Sequence, residues 1–301
     1  MKIGSICSGM GMALHGPETN IWGIECDSQI ADIYTKNHPE SKIICDYVQN
    51  INPQDLEDVD CIIATPSCIR ASVANPKAKE SEEDLIVASA IVDILKAKLP
   101  KFFLLENVAG YKNFESFNQI ERELINQGYY TLSTILNLKD FGIAQSRERL
   151  YLLAAKDKFF FDPQPSFGKK RGWHEAIQDL IPELPETTFA KYQGRCKGIT
   201  DKCLIRRIGA NEGNNRAYQP NEPSFTIRAH GRKSDNHWNQ ANVLIDGVVK
   251  SVTPRACLRF FGDRETADKI WLPNRKTLAM EVVGNGASWE IMKFLLTHIS
   301  Q

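Results

Sequence analysis

The sequence predicts an α/β protein built on a doubly wound sheet, and three observations predict it. Short apolar runs alternate with helix-period segments from Lys2 to Ala155. Most of those runs close on a small or acidic residue, as strands do at the ligand-binding edge of an open sheet. The alternation then stops near Phe161, and a smaller, irregular, β-rich region dominated by Gly, Asn, Pro, Lys and Arg follows. Taken in order, Lys2 to Cys7 is the first strand, ending in Ser8-Gly9-Met10-Gly11-Met12, a turn expected to open a helix. Asn20 to Glu25 is the second strand, and Ser28 to Asn37 places Ile30, Ile33 and Tyr34 on one helix face. Lys42 to Cys45 closes on Asp46, and Asp60 to Ala64 stops at Pro66, just before Cys68. Asp84 to Lys98 is helical through Leu85, Ala88, Ile91, Val92 and Leu95, ended by Pro100. Phe102 to Leu105 is a buried strand closed by Glu106-Asn107-Val108; Phe114 to Gln127 is helical, and Tyr129 to Leu136 and Leu150 to Ala155 are extended. In the later region Ser224 to Ile227 and Asn242 to Ile245 suggest small strands.

Composition narrows the class. At 301 residues, 42% hydrophobic and 25% charged, the chain is long enough to bury a sizeable core. No stretch approaches the roughly 18 apolar residues of a membrane span, and Met1-Lys2-Ile3-Gly4 leads into a strand rather than a signal sequence. A cytoplasmic protein with no membrane partner is expected. Eight cysteines without a Cys-x-x-Cys pair or a spaced Cys/His quartet argue against a disulfide framework and a structural zinc, so no metal is expected. The net charge is zero, yet from Lys156 to Lys250 there are 16 Lys and Arg against 11 Asp and Glu. That region is expected to face a polyanion.

Two stretches carry chemistry. In Ser8-Gly9-Met10-Gly11, two alternate positions lack Cβ atoms, so backbone can come close to a ligand at the start of a helix. Glu25, at the end of the second strand, is placed to accept both ribose hydroxyls of a nucleoside, and Asp46 to take the exocyclic amine of an adenine. Leu14 stands where the third glycine of a dinucleotide site would be, which tilts the reading from a nicotinamide cofactor to S-adenosylmethionine, a ligand with no pyrophosphate. Cys68 sits just past the carboxyl end of a buried strand, where a thiol either fills space or acts as a nucleophile.

Ser8-Gly9-Met10-Gly11, Pro66-Ser67-Cys68, Glu106-Asn107-Val108, Gln145-Ser146-Arg147-Glu148-Arg149 and Gly284-Asn285 resemble, in this order and spacing, the motif set of the cytosine-C5 DNA methyltransferases. The resemblance covers essentially the whole chain. It implies a mixed sheet of the Rossmann-like, S-adenosylmethionine-dependent methyltransferase type, and an enzyme that methylates carbon 5 of cytosine in double-stranded DNA. It implies that Cys68 adds as a thiolate to carbon 6 of a flipped-out cytosine. Glu106 would hold nitrogen 3 and the amino group, Arg149 would contact the ring carbonyl oxygen, and Arg147 would orient Glu106. Cofactor contacts are implied for Cys7, Ser8, Gly9, Met10, Gly11, Glu25, Cys26, Asp46, Tyr47, Thr65, Asn285 and Gly286.

A base inside a duplex cannot present carbon 6, so the target must leave the stack. The loop Ile69 to Glu83 carries Arg70, Ser72, Lys77 and Lys79 for phosphates, and Ser72 stands where the family has a serine gripping the backbone beside the flipped base. The organisation implied is a catalytic and cofactor domain over 1–160, a target-recognition domain over 161–250 and a connector with a closing helix over 251–301, that helix docking beside the cofactor. In the recognition domain Arg206, Arg207, Arg228 and Arg232 are the expected DNA-binding residues, with Asn, His and Trp interleaved for base edges. Four residues depart from the family pattern: Ser67 for proline, Ile69 for glutamine, Cys7 for phenylalanine and Met12 for glycine. None removes a reactive group, so activity is expected to persist, with weaker cofactor binding. The alternatives are a transfer-RNA cytosine-5 methyltransferase of the same fold and a DNA-binding relative without activity; the long basic region favours DNA. A monomer is expected, in a prokaryotic cell or phage-infected host, with a cognate restriction endonuclease as partner.

Overall fold

The structure, a computed structural model, describes residues 1–67, 71, 79–159, 170–189, 196–206, 216–229 and 239–300. The chain forms two compact units, one from Met1–Leu136, Glu148–Gln164 and Ile291–Gln301, the other from Asn137–Arg147 and Pro165–Glu290.

The first unit is built on a seven-stranded sheet in which β1 (Lys2–Ile6), β2 (Thr19–Ile24), β3 (Lys42–Ile44), β4 (Cys61–Ala64), β5 (Phe102–Asn107), β6 (Tyr130–Asn137) and β7 (Glu148–Ala155) lie in the order β3-β2-β1-β4-β5-β7-β6. The pairs from β3 through to β5 are parallel, and β7 runs antiparallel to β5, so the sheet is mixed. Its central strands read as unbroken apolar runs because both faces are covered: all four residues of β4 are buried, and so are Phe103, Leu104 and Leu105. Helix α1 (Ser28–Asn37) starts where Asp27 accepts from Gln29 N and Ile30 N. Helix α2 (Glu82–Lys98) starts on a capping box between Ser81 and Asp84 and ends at Leu99, whose φ of 43° precedes Pro100. Helix α3 (Glu115–Asn126) packs beside α2 and has no capping side chain of its own at Phe114.

One sequence expectation fails here. The Gly9-Gly11 turn opens only a single 3-10 turn, Met12–Leu14, because Gly16 and Pro17 interrupt any helix before β2 begins at Thr19. The loop therefore presents no long helix N-terminus to a ligand.

The second unit holds a four-stranded antiparallel sheet, β11-β10-β8-β9, made from β8 (Lys202–Arg206), β9 (Ala217–Tyr218), β10 (Ala241–Ile245) and β11 (Val248–Ser251). Cys196, Cys203, Ile205 and Ala217 form a small core under it, where burial pushes both thiols up; among the described residues no cluster could hold a metal. Ser224 to Ile227, expected as a strand, is instead bonded to an irregular stretch: Ser224 N donates to Ala144 O, and the Ile227 N–H that a strand partner would take goes to Gln145 Oε1. Around this lie the short helices α4 (Trp173–Ile177), α5 (Pro254–Leu258) and α6 (Arg264–Lys269), and then α7 (Lys276–Asn285). Arg259, 2% exposed, is satisfied by a two-point contact with Asp268 at 2.7 Å through both Nε and Nη2, and by Asp179 at 3.4 Å. The last helix, α8 (Trp289–Ile299), belongs to the first unit from Ile291 onwards. No helix among the described residues is long and apolar enough to cross a membrane.

Candidate active site

The carboxyl ends of β1, β2, β4 and β5 carry the candidate groups of the first unit. The β1 loop is fixed in an alternating backbone: φ is 55° at Cys7, 56° at Gly9 and 76° at Gly11. For Cys7 this is a strained conformation, held because its carbonyl accepts from Thr65 Oγ1 at 2.8 Å while Thr65 N donates to Ile6 O at 3.0 Å. Ser8 ties the loop to β2 through its own N–H to Ile24 O, and through Oγ accepting from Ile24 N at 3.1 Å. A Cβ on Gly9 would meet nothing within 4 Å, so this glycine leaves an open approach over the loop. Gly11 differs from the expectation: a Cβ there would lie 2.3 Å from the His38 ring, so its missing side chain makes room for packing rather than for a ligand. Met10 is also turned inward, at 2% exposure, and offers only its backbone.

Glu25 is the acid that organises this loop. Its carboxylate accepts from Gly9 N at 2.9 Å through Oε2 and from Asp27 N at 3.0 Å through Oε1, with the Cys26 thiol 3.7 Å from Oε1. Oε2, with one donor, keeps lone-pair capacity for another. Burial and the Glu25 charge push the Cys7 thiol up to about 12, and the same two causes raise Cys26. Asp46 accepts from Tyr47 N and Asn50 Nδ2, both at 2.7 Å and both through Oδ1, and Tyr47 is 54% exposed.

His38, which the sequence did not single out, supports the loop from below. Its Nε2 donates to Gly11 O at 2.9 Å and its Nδ1 accepts from Asn20 Nδ2 at 3.2 Å, a pattern that only the neutral ring can make. His15 stacks on it at 4.6 Å, with the Tyr34 ring on the other contact at 5.0 Å. Burial lowers both histidines, His15 to about 3. The unfolded chain therefore takes up protons below about pH 6.5 that the folded chain refuses, so stability falls as pH falls. From His15 alone the loss by pH 5 is up to about 2 kcal/mol. Urea unfolding at pH 7.5 and pH 5 measures it, and His15→Phe is expected to flatten the difference.

At the end of β5, Glu106 lies opposite Tyr151 of β7 in the antiparallel register. Arg149, two residues before Tyr151, shares that face and reaches Glu106 diagonally, with Arg149 Nε 3.0 Å from Glu106 Oε1 and side-chain exposures of 11% and 8%. Within this unit Arg149 pairs with Glu106. Asn107, not singled out beforehand, donates from Nδ2 to Pro66 O at 3.1 Å, and its Oδ1 accepts from Val108 N. The Glu106 strand end is therefore bonded to the chain two residues before Cys68. Cys68, Arg70 and Ser72 lie outside the described residues, as do Arg207 and Arg232.

In the second unit Arg147 is 3% exposed and grips backbone: Nη1 donates to Ile227 O at 2.7 Å, and Nη2 to Gly284 O at 3.0 Å and Gly286 O at 3.1 Å, above the Phe261 ring. Asn285 ends α7 with an exposed side chain, and Gly286 caps it. Arg206 lies over the Phe225 ring at 5.6 Å, and the Arg228 backbone is bonded on both sides by the Gln240 amide. Arg216 is drawn to Glu222 at 2.8 Å and to Tyr218, which neutralises part of the basic excess.

The family model for C-5 cytosine-specific DNA methylase matches residues 1–301. The chain is 30% identical over 300 residues to the Type II methyltransferase M.FnuDI of Fusobacterium nucleatum, covering 88% of this chain and 85% of that protein. It is 32% identical over 285 residues to the Type II methyltransferase M.Bsp6I of Bacillus sp. strain RFL6, covering 87% of each. Among solved structures, the Entamoeba histolytica methyltransferase EhMeth superposes with a TM-score of 0.71 at 20% identity, over 99% of this chain and 97% of that one. The S. pombe Dnmt2 methyltransferase gives 0.69 at 17%, over 99% and 98%. These two likenesses concern the fold.

Proposed function

Because the chain belongs to the C-5 cytosine-specific DNA methylase family, we propose that it methylates carbon 5 of cytosine in double-stranded DNA from S-adenosylmethionine, with Cys68 as nucleophile. The observation that carries this reading is the buried Glu106–Arg149 pair at 3.0 Å on a strand end whose next residue, Asn107, is bonded to Pro66. A buried acid held by a cation is what stabilising the charge that develops on a cytosine ring requires.

The β1 loop fits the donor: Gly9 leaves an open approach, and Glu25 is already ordered by two backbone donors while keeping acceptor capacity for ribose hydroxyls. S-adenosylmethionine, when bound, supplies a methyl group on an electrophilic sulfonium. Cys68 forms a bond from sulfur to carbon 6, and the electrons of the carbon 5–carbon 6 double bond make carbon 5 enamine-like. Glu106 holds the ring at nitrogen 3 and the amino group where charge develops, and Arg149 fixes Glu106 and faces the ring carbonyl. Carbon 5 would take the methyl group, the donor sulfur keeping the bonding pair as a neutral thioether; the carbon 5 proton would then pass to solvent, and the returning electrons would expel Cys68 as thiolate. Arg147 orients Glu106 in this reading, and its guanidinium also bonds the carbonyls of Ile227, Gly284 and Gly286.

In this reading residues 1–160 carry catalysis, 161–250 recognise the target through Arg206, Arg207, Arg228 and Arg232, and 251–301 connect them, with Asn285 and Gly286 at the cofactor and Arg70 and Ser72 at the DNA. A monomer paired with a restriction endonuclease is the matching biological setting. The test is methyl transfer from labelled S-adenosylmethionine to genomic DNA or bulk transfer RNA by the wild type and Cys68→Ala. Label in DNA carbon 5 that needs Cys68 is expected; label confined to RNA would replace the substrate, and no label in either would leave a binding protein.

A further inference from the structure

The loop that carries Gly9 is held from below by three side chains that lie outside every motif. The 3-10 turn that follows it, Met12–Leu14, starts at Gly11 without a capping side chain and is too short to hold itself. Asn37 Nδ2 donates to Met10 O at 3.3 Å, His38 Nε2 to Gly11 O at 2.9 Å and Asn20 Nδ2 to Leu14 O at 3.1 Å. The second Asn20 N–H goes to His38 Nδ1 at 3.2 Å. That bond fixes the tautomer. Leu14 O requires the amide nitrogen of Asn20 on its side, so Nδ1 accepts and the ring proton sits on Nε2, at Gly11 O. Asn37 and His38 end α1, and the start of that helix is tied to the same loop: Glu25 accepts from Asp27 N through one oxygen and from Gly9 N through the other.

Glu25 thus holds the loop by an N–H, and the end of α1 holds it by two carbonyls. These bonds leave Gly9 uncovered, since a Cβ on it would meet nothing within 4 Å. An apolar ring could fill the space beside Gly11, but only an imidazole protonated on Nε2 joins Gly11 O to Asn20. We infer that His38 is a positioning residue for S-adenosylmethionine, which with Asn20 and Asn37 fixes the Gly9–Gly11 backbone against Glu25 in the conformation that receives the cofactor. This rests on the loop and Glu25 having the cofactor role proposed above.

The test compares wild type with His38→Ala, His38→Phe, His38→Gln, Asn20→Ala and the His38→Ala/Asn20→Ala double variant by calorimetric titration with S-adenosylmethionine. Deuterium uptake over residues 8–14 of the free protein and the single-turnover rate at saturating substrates accompany it. A loop that must be ordered at binding lowers affinity without lowering the rate once the cofactor is bound. His38→Ala and His38→Phe are expected to raise Kd about tenfold and to speed exchange over 8–14, with a rate at saturation within about twofold of wild type. His38→Gln, which keeps a donor for Gly11 O, recovers most of the affinity. Asn20→Ala raises Kd about threefold, and its loss does not add to that of His38→Ala. Misfolding lowers the number of sites in the titration rather than their affinity, so the two effects are read separately. If neither His38→Ala nor His38→Phe folds, Asn20→Ala decides. Wild-type affinity in His38→Phe or in Asn20→Ala, or a loss of rate with Kd unchanged, would overturn the assignment. A wild type that binds no S-adenosylmethionine would instead overturn the cofactor reading, and the assignment with it.

Discussion

Glu106→Ala is expected to slow methyl transfer about 10³-fold at saturating substrates, while the affinity for DNA changes little. Glu106 is buried at 6% exposure and lies 3.0 Å from Arg149, so under the proposed mechanism its contribution would be made to the ring as charge develops there. An interaction made only in the transition state lowers kcat and kcat/KM together, which steady-state kinetics on DNA will show. Glu106→Gln should fall between the two, since the amide still donates to the ring but has no proton to give. Arg149→Ala has a second cost: it removes a cation 3.0 Å from a buried carboxylate, so a loss of stability is expected to accompany the loss of rate. Stability and rate must therefore be measured together for that variant.

Glu25→Ala is expected to weaken S-adenosylmethionine binding by about 10²-fold or more, with a smaller change in the rate at saturation. Two losses combine. The ribose loses a charged acceptor, worth about 1.5–3 kcal/mol per hydrogen bond, and Gly9 N loses its 2.9 Å partner, so the loop it orders relaxes. Calorimetric titration of the free protein with S-adenosylmethionine measures the effect directly. Cys7 and Met12 are not expected to repeat it, because neither supplies charge to the loop and Met12 is buried at 2% exposure.

The parts of this molecule that were legible in the sequence are those in which local pattern and burial agree. Cys61 to Ala64 and Phe103 to Leu105 announce themselves because strands covered on both faces must be apolar throughout. Glu25 and Glu106 were legible because a lone acid closing such a run has few places to go except the sheet edge. The helix expected after Gly11 is cut short by Gly16 and Pro17, and the two glycines, read as one cradle, serve different ends: Gly9 opens the loop and Gly11 accommodates His38. The arginines of Gln145 to Arg149 could not be told apart by spacing alone. Arg149 lies inside β7, where the register with β5 brings it to Glu106, whereas Arg147 precedes the strand and turns to the carbonyls of Ile227, Gly284 and Gly286. His38 was invisible because its bonds to Gly11 and Asn20 span 27 and 18 residues and it belongs to no motif. Such links come from tertiary packing, which periodicity does not encode.

The most direct measurement is the fate of Cys68 when turnover is blocked. Duplex DNA carrying 5-fluorocytosine has no carbon 5 proton to lose, so addition and methyl transfer should leave the enzyme bound to carbon 6. Incubated with S-adenosylmethionine and a pool of such duplexes, the protein is expected to form a denaturation-resistant adduct whose peptide map places the link on Cys68, and Cys68→Ala is expected to form none. Methylation of ordinary cytosine without any adduct on the fluorinated duplex, or an adduct on a different cysteine, would contradict Cys68 as the nucleophile.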